Sequence, residues 1–106
     1  MIEIERLRYY YNASLVFMSQ HASDRCRERG IIQKDIKNCV MTGEIIEQYP
    51  EDYPYPSCLV YGMDSKGKPI HVVLCDTGES SKIITAYYPN IEVLKDDLKT
   101  RREQGR

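Results

Sequence analysis

His21, Arg25 and Arg29 recur at intervals of four residues. Four residues advance an α-helix by one turn and about 40°, so a helix over this segment carries all three side chains on one face. Two guanidinium groups and an imidazole stacked in this way repel one another unless an anion lies opposite. Arg presents a planar fork that matches phosphate, and His exchanges a proton near neutral pH. The pattern therefore points to a phosphate held by Arg25 and Arg29, with His21 orienting it or moving a proton. The alternative is internal neutralisation of these cations by Asp24, by Glu28 or by the acidic stretch at 44–52. A second His, His71, sits within the apolar run Ile70-His71-Val72-Val73-Leu74-Cys75. In a strand it shares a face with Val73 and Cys75, and an interior imidazole there needs a polar partner or a cleft. Thr85 and Tyr87 share one face of a later apolar run, Ala86 and Tyr88 the other. Whether His71 and Thr85 meet depends on strand register.

The elements that must position these groups follow from periodicity and punctuation. Residues 2–12 are expected to form a helix with Ile4, Leu7 and Tyr11 along its apolar stripe. Leu15-Val16-Phe17-Met18 is a short apolar, extended run. Ser19 is the expected N-cap of a helix over about 20–29, stopped by Gly30. A further helix over about 33–42 buries Ile32, Ile36, Cys39 and Val40 and ends at Gly43. From there the period shortens to two. Residues 44–49, 58–61, 70–75 and 82–88 read as strands, and the short turns between them predict a four-stranded antiparallel meander. The loop carrying Pro50, Pro54 and Pro56 is rigid and extended, and interleaves Tyr53 and Tyr55. These tyrosines either stack on the bases of single-stranded RNA or simply cover a sheet end, and Glu51 and Asp52, which repel phosphate, favour the second. Pro89 ends the last strand, and Asn90 is positioned to cap a C-terminal helix through about Arg102. The expected class is α+β: N-terminal helices packed on a four-stranded antiparallel meander, with a C-terminal helix.

Composition sets the outer bounds. The 106 residues suit one domain, 1–106, and 42% apolar residues supply a core. No apolar run reaches the roughly 20 residues that span a bilayer, and the acidic start Met1-Ile2-Glu3-Ile4-Glu5 is unlike a signal peptide, so a cytoplasmic protein with no membrane association is expected. The net charge of −1 does not describe a uniformly basic nucleic-acid binder, but Arg25, Arg27 and Arg29 cluster locally, as do Lys95, Lys99, Arg101 and Arg102. Cys26, Cys39, Cys58 and Cys75 form no C-x-x-C pair and are expected as small core residues. They lack the paired spacing of a zinc site, so neither a metal nor another cofactor is expected.

The string His21-Ala22-Ser23-Asp24-Arg25-Cys26-Arg27-Glu28-Arg29-Gly30-Ile31 resembles the H-A-x-x-R-x-x-x-R-G-I signature of a bacterial family, domain of unknown function 4258. The similarity continues through Gly43-Glu44-Ile45-Ile46-Glu47, Tyr49-Pro50, Pro54-Tyr55-Pro56-Ser57-Cys58-Leu59, Pro69-Ile70-His71-Val72-Val73 and Ile84-Thr85-Ala86-Tyr87-Tyr88-Pro89. It covers most of residues 19–89, flanked by the helices expected at 2–12 and 90–102. The resemblance implies a fold like that of the barnase, EndoU, colicin and RelE ribonuclease group, whose members cleave RNA without a metal and are often toxins with a cognate antitoxin. The resemblance implies a site of His21, Arg25, Arg29, His71, Thr85, Tyr87 and Tyr88, of which all but Tyr88 are the expected catalytic groups. Tyr88 is an expected RNA contact together with Arg27 of the basic cluster and Tyr55 of the proline loop. His21 and His71 would then act as acid and base, in either order. Arg25 and Arg29 would hold the charge that builds at phosphorus, and Thr85 or Tyr87 would donate to a non-bridging oxygen. The other expectation is a non-enzymatic module that binds RNA or a protein partner through the same basic helix and sheet face.

Overall fold

A computed structural model describes residues 1–89. Their elements are α1 (Ile4–Asn12), β1 (Val16–Met18), α2 (Gln20–Glu28), α3 (Gln33–Thr42), β2 (Glu44–Tyr49), β3 (Ser57–Met63), β4 (Pro69–Asp76) and β5 (Ser81–Tyr87). The class is α+β. The strands form one five-stranded sheet in the order β1-β5-β4-β3-β2. The four long strands make the expected antiparallel meander, but the sheet is mixed: β1 pairs parallel to β5, with Val16 opposite Ser81 and Met18 opposite Ile83. The apolar run before α2 is therefore a fifth strand. Its pairing partner lies some 65 residues away along the chain, as the Val16–Ser81 pair shows, so no local turn signal announces it. The helix expected at 90–102 lies outside the described residues.

Helix boundaries follow the caps. Ser19 Oγ accepts the Ala22 N–H at 3.1 Å and starts α2. Gly30 ends it at φ 71°, a left-handed conformation that a Cβ would strain. α1 buries Leu7 and Tyr10, while Ile4 and Tyr11 are half-buried, so its inner stripe is rotated from the expected Ile4–Leu7–Tyr11. The reason is polar: the Tyr10 hydroxyl donates to Asp76 Oδ1 at 2.6 Å, and Arg6 Nε donates to Asp76 Oδ2 at 2.7 Å. Arg8 closes the other side of α1, donating to the carbonyls of Val40 and Gly43 at 3.0 and 2.9 Å. A cation thus sits at the α3 C-terminus, where the helix dipole favours one.

α3 packs on β3 and β4, and α2 lies beside β5. The helix-side face of the sheet supplies Cys58, Val60, Ile70, Val72, Leu74, Ile83 and Ala86 to a core shared with Leu7, Ile36, Cys39 and Val40. Each fully buried aliphatic side chain here contributes roughly 1.5–3 kcal/mol. All four cysteines are buried and free, as small core residues should be. The α3–β3 crossing is unusually close. A Cβ on Gly43 would lie 2.3 Å from the Tyr61 carbonyl oxygen, and one on Gly62 2.5 Å from that of Cys39. No helix among the described residues is long and apolar enough to cross a membrane.

Candidate anion-binding cleft

Register decides which side chains share the face opposite the helices. His71 pairs with Tyr61 on β3 and Tyr87 on β5, and Val73 pairs with Thr85. His71 and Thr85 therefore do share a face, one pair apart. A bulge then interrupts the β4–β5 ladder: Leu74 pairs with Ile83 and Cys75 with Lys82, leaving Ile84 as the extra residue. In a regular strand Lys82 would share its face with Ile84 and Ala86. The bulge instead turns Lys82 to the Thr85 side.

α2 lies beside β5, and its cationic face meets the bulge. A cleft of about 740 Å³ opens between them. Ser19, His21, Arg25 and Arg29 form one wall, and Asp52, Tyr53, Pro54 and Tyr55 from the β2–β3 loop form the other. Cys75, Lys82, Ile83, Ile84 and Thr85 make the floor. The helical spacing thus places His21, Arg25 and Arg29 together as expected. Arg29 is held from behind, its Nη1 donating to Thr85 Oγ1 at 3.1 Å and to the Ala86 carbonyl at 2.9 Å. Thr85 therefore accepts a hydrogen bond and positions an arginine.

Neutralisation does not come from the neighbouring helix acids. Asp24 accepts from Gln20 at 2.8 Å and from Arg27 at 3.0 Å. Gln20 first, then Arg27 and the nearby His21, hold its carboxyl below the ordinary value against a smaller opposing effect of desolvation. Among the described residues Arg25, Arg29 and Lys82 make no ion pair. The carboxylate in the cleft wall, Asp52, accepts a hydrogen bond from the Ser57 hydroxyl. Tyr55 is near the cationic side of the cleft, with Lys82 Nζ 5.7 Å from its ring centroid, within cation–π range. Tyr53, joined to Pro54 by a cis peptide, is 95% exposed, so it covers no sheet end.

The remaining candidates lie elsewhere. His71 is buried and does not line the cleft; its ring meets those of Tyr61 and Tyr87 edge-on, at centroid distances of 6.0 and 5.4 Å. Tyr87 belongs to that ring group. Arg27 points from α2 towards Asp24 and a separate apolar hollow that includes Met18, Ile31 and Ile36. Tyr88 donates to Asp64 Oδ2 at 2.9 Å and packs against the core. Residue-by-residue reading missed Lys82 and Ile84, because period two without the bulge assigns Lys82 to the other face.

No curated protein and no solved structure matches the chain. A family model described as "Domain of unknown function (DUF4258)" matches residues 18–88. The match begins at the end of β1 and runs past β5, so it contains the cationic helix, the proline–tyrosine loop and the bulged strand that together form the cleft. The chain belongs to the family of this domain, DUF4258.

Proposed function

We propose that the cleft takes the phosphodiester backbone of single-stranded RNA and that the protein is a metal-independent, ribonuclease-like enzyme. The observation that carries the proposal is the convergence of His21, Arg25, Arg29 and Lys82 on one cleft whose far wall is aromatic. Cations that make no ion pair favour an anion, and exposed tyrosine rings accept any base face. In this reading Arg25 and Arg29 bind the non-bridging oxygens and stabilise the charge that grows there as the ribose 2′-oxygen attacks phosphorus. His21 takes the 2′-hydroxyl proton. The bond from phosphorus to the 5′-oxygen breaks, and Lys82 gives that oxygen a proton. His71 and Tyr87 support the sheet beneath the site and take no part in proton transfer.

Incubation of the protein with mixed single-stranded RNA in EDTA, from pH 5 to 9, tests this. Cleavage by the parent is expected to fall about 10²–10⁴-fold in His21→Ala, the usual contribution of one acid–base group. Equal cleavage by parent and variant refutes the assignment. A second reading, an RNA-binding module without turnover, is favoured by the position of His71. With that residue outside the cleft lining, the acid–base pair of histidines is not assembled there. Salt-sensitive binding with no products at any pH decides for it. A role as the toxin of a toxin–antitoxin pair rests on cleavage. Growth arrest on expression, relieved by His21→Ala, is its expected sign.

A further inference from the structure

The cationic surface does not end at α2. Arg29 reaches β5 at the Ala86 carbonyl, and Tyr88 lies two residues further on, roughly 7 Å along an extended chain. The Lys68 ammonium stands 4.4 Å from the centroid of the Tyr88 ring. Lys68 closes the β3–β4 turn, and that turn is tied to the first turn of α3: Asp35 Oδ1 accepts the Ser65 N–H at 3.0 Å and the Ser65 hydroxyl at 2.6 Å. Lys34 and Lys66 are the chain neighbours of this bonded pair, and both are exposed.

The carboxylates in this region are committed to the fold. Asp35 also accepts the Ile32 N–H at 3.0 Å. Asp64 accepts the Lys66 and Lys68 N–H groups, each at 2.8 Å, and the Tyr88 hydroxyl. Both are buried and serve as acceptors of these donors, although the Lys68 charge still acts on Asp64. Among the described residues Lys34, Lys66 and Lys68 make no ion pair. Three exposed lysines therefore flank two buried carboxylates along the chain, and one of them, Lys68, stands against the ring of Tyr88, two residues beyond the carbonyl that Arg29 holds.

We propose that Lys34, Lys66 and Lys68 form a second phosphate-binding subsite, so that the ligand is a single-stranded RNA several nucleotides long that leaves the cleft past Arg29 and continues over Tyr88. This rests on the RNA reading of the cleft. It defines the ligand as an oligonucleotide, excluding a mononucleotide or free phosphate, which the cleft alone would accommodate.

The test compares fluorescently labelled RNA of about twelve and about three nucleotides, titrated in EDTA at several salt concentrations. Single-strand binding loses affinity with salt at a log–log slope of about 0.7 per phosphate neutralised. The parent is expected to bind the longer probe more tightly and with the steeper slope. In a Lys34→Gln, Lys66→Gln, Lys68→Gln variant that slope falls by about 2, since three contacts are lost. Binding of the short probe stays unchanged. The Lys34→Gln, Lys66→Gln variant leaves the Lys68–Tyr88 contact intact and is expected to lose about 1.4 of the slope. Parent-like binding of the long probe by both variants, with Arg25→Ala weakened, overturns the second subsite and leaves the cleft reading standing. Absence of binding to either probe by the parent overturns both.

Discussion

Replacing Gly62 by alanine tests the packing that holds α3 on the sheet. The new Cβ would lie 2.5 Å from the Cys39 carbonyl oxygen and 3.0 Å from both Cys39 Cα and Sγ. Ordinary van der Waals contact begins near 3.4 Å, so α3 must retreat by about 0.9 Å at its last turn. Two of the three atoms met are backbone, and no side-chain rotation relieves them. Overpacking of a well-filled core costs about 1–3 kcal/mol, and the rigid neighbours place this substitution at the upper end. For a domain of this size that corresponds to a fall in melting temperature of roughly 10–25 °C. Gly67→Ala is the control, because nothing lies within 4 Å of its Cβ and only its φ of 85° opposes the substitution, at about 1–2 kcal/mol. Thermal unfolding followed by circular dichroism measures both. A Gly62→Ala protein that melts within about 2 °C of the parent would refute the close α3–β3 approach.

Acid should unfold the protein in a defined direction. Desolvation raises the carboxyls of Asp35 and Asp76, but the Ile32 and Ser65 donors on Asp35, and Tyr10, Gly78 and Arg6 on Asp76, outweigh it and leave both below the ordinary value. The Lys68 N–H leads the groups that lower Asp64. Depressed folded-state values contribute stability that is complete above the unfolded carboxylate range, about pH 4. It is lost as pH falls through the lower folded values, so denaturant midpoints measured between pH 6 and 2 should decline only below about pH 5. A midpoint that rises on acidification would contradict these bonds. Tyr10→Phe removes a hydrogen bond to a charged acceptor and should cost about 1.5–3 kcal/mol in chemical unfolding, whereas an unchanged midpoint would show the Asp76 contact to be unimportant. Burial pushes the Cys39 and Cys58 thiols up to about 12, so both should resist a thiol reagent at neutral pH until the protein is unfolded. Thr85→Val leaves Arg29 with the Ala86 carbonyl alone, and should weaken RNA binding several-fold without lowering the melting temperature.

Much of the fold was legible because each boundary carries its own chemistry. Ser19 and Gly30 frame α2, Gly43 separates α3 from β2, and the change of period after it marks the meander. The common helical face of His21, Arg25 and Arg29 follows from spacing alone. The parallel pairing of β1 with β5 was not legible, since a three-residue strand joined across most of the chain leaves no local trace. The floor of the cleft was hidden for a related reason. A single extra residue, Ile84, exchanges the faces of everything before it on β5, and only the observed register reveals it. The same register brings His71 onto the face of Thr85, yet its pairing with Tyr61 and Tyr87 encloses it among rings.

The central claim is that the α2 cleft binds RNA through its arginines. The most direct test is an equilibrium titration of labelled single-stranded RNA in EDTA with the parent, with Arg25→Ala and with Glu79→Ala, an exposed charge outside the cleft lining. The account predicts salt-sensitive binding by the parent, the same affinity in Glu79→Ala and about a tenfold loss in Arg25→Ala, the scale of a single charge-assisted contact. Equal affinity in the parent and Arg25→Ala, with both proteins folded, would contradict it.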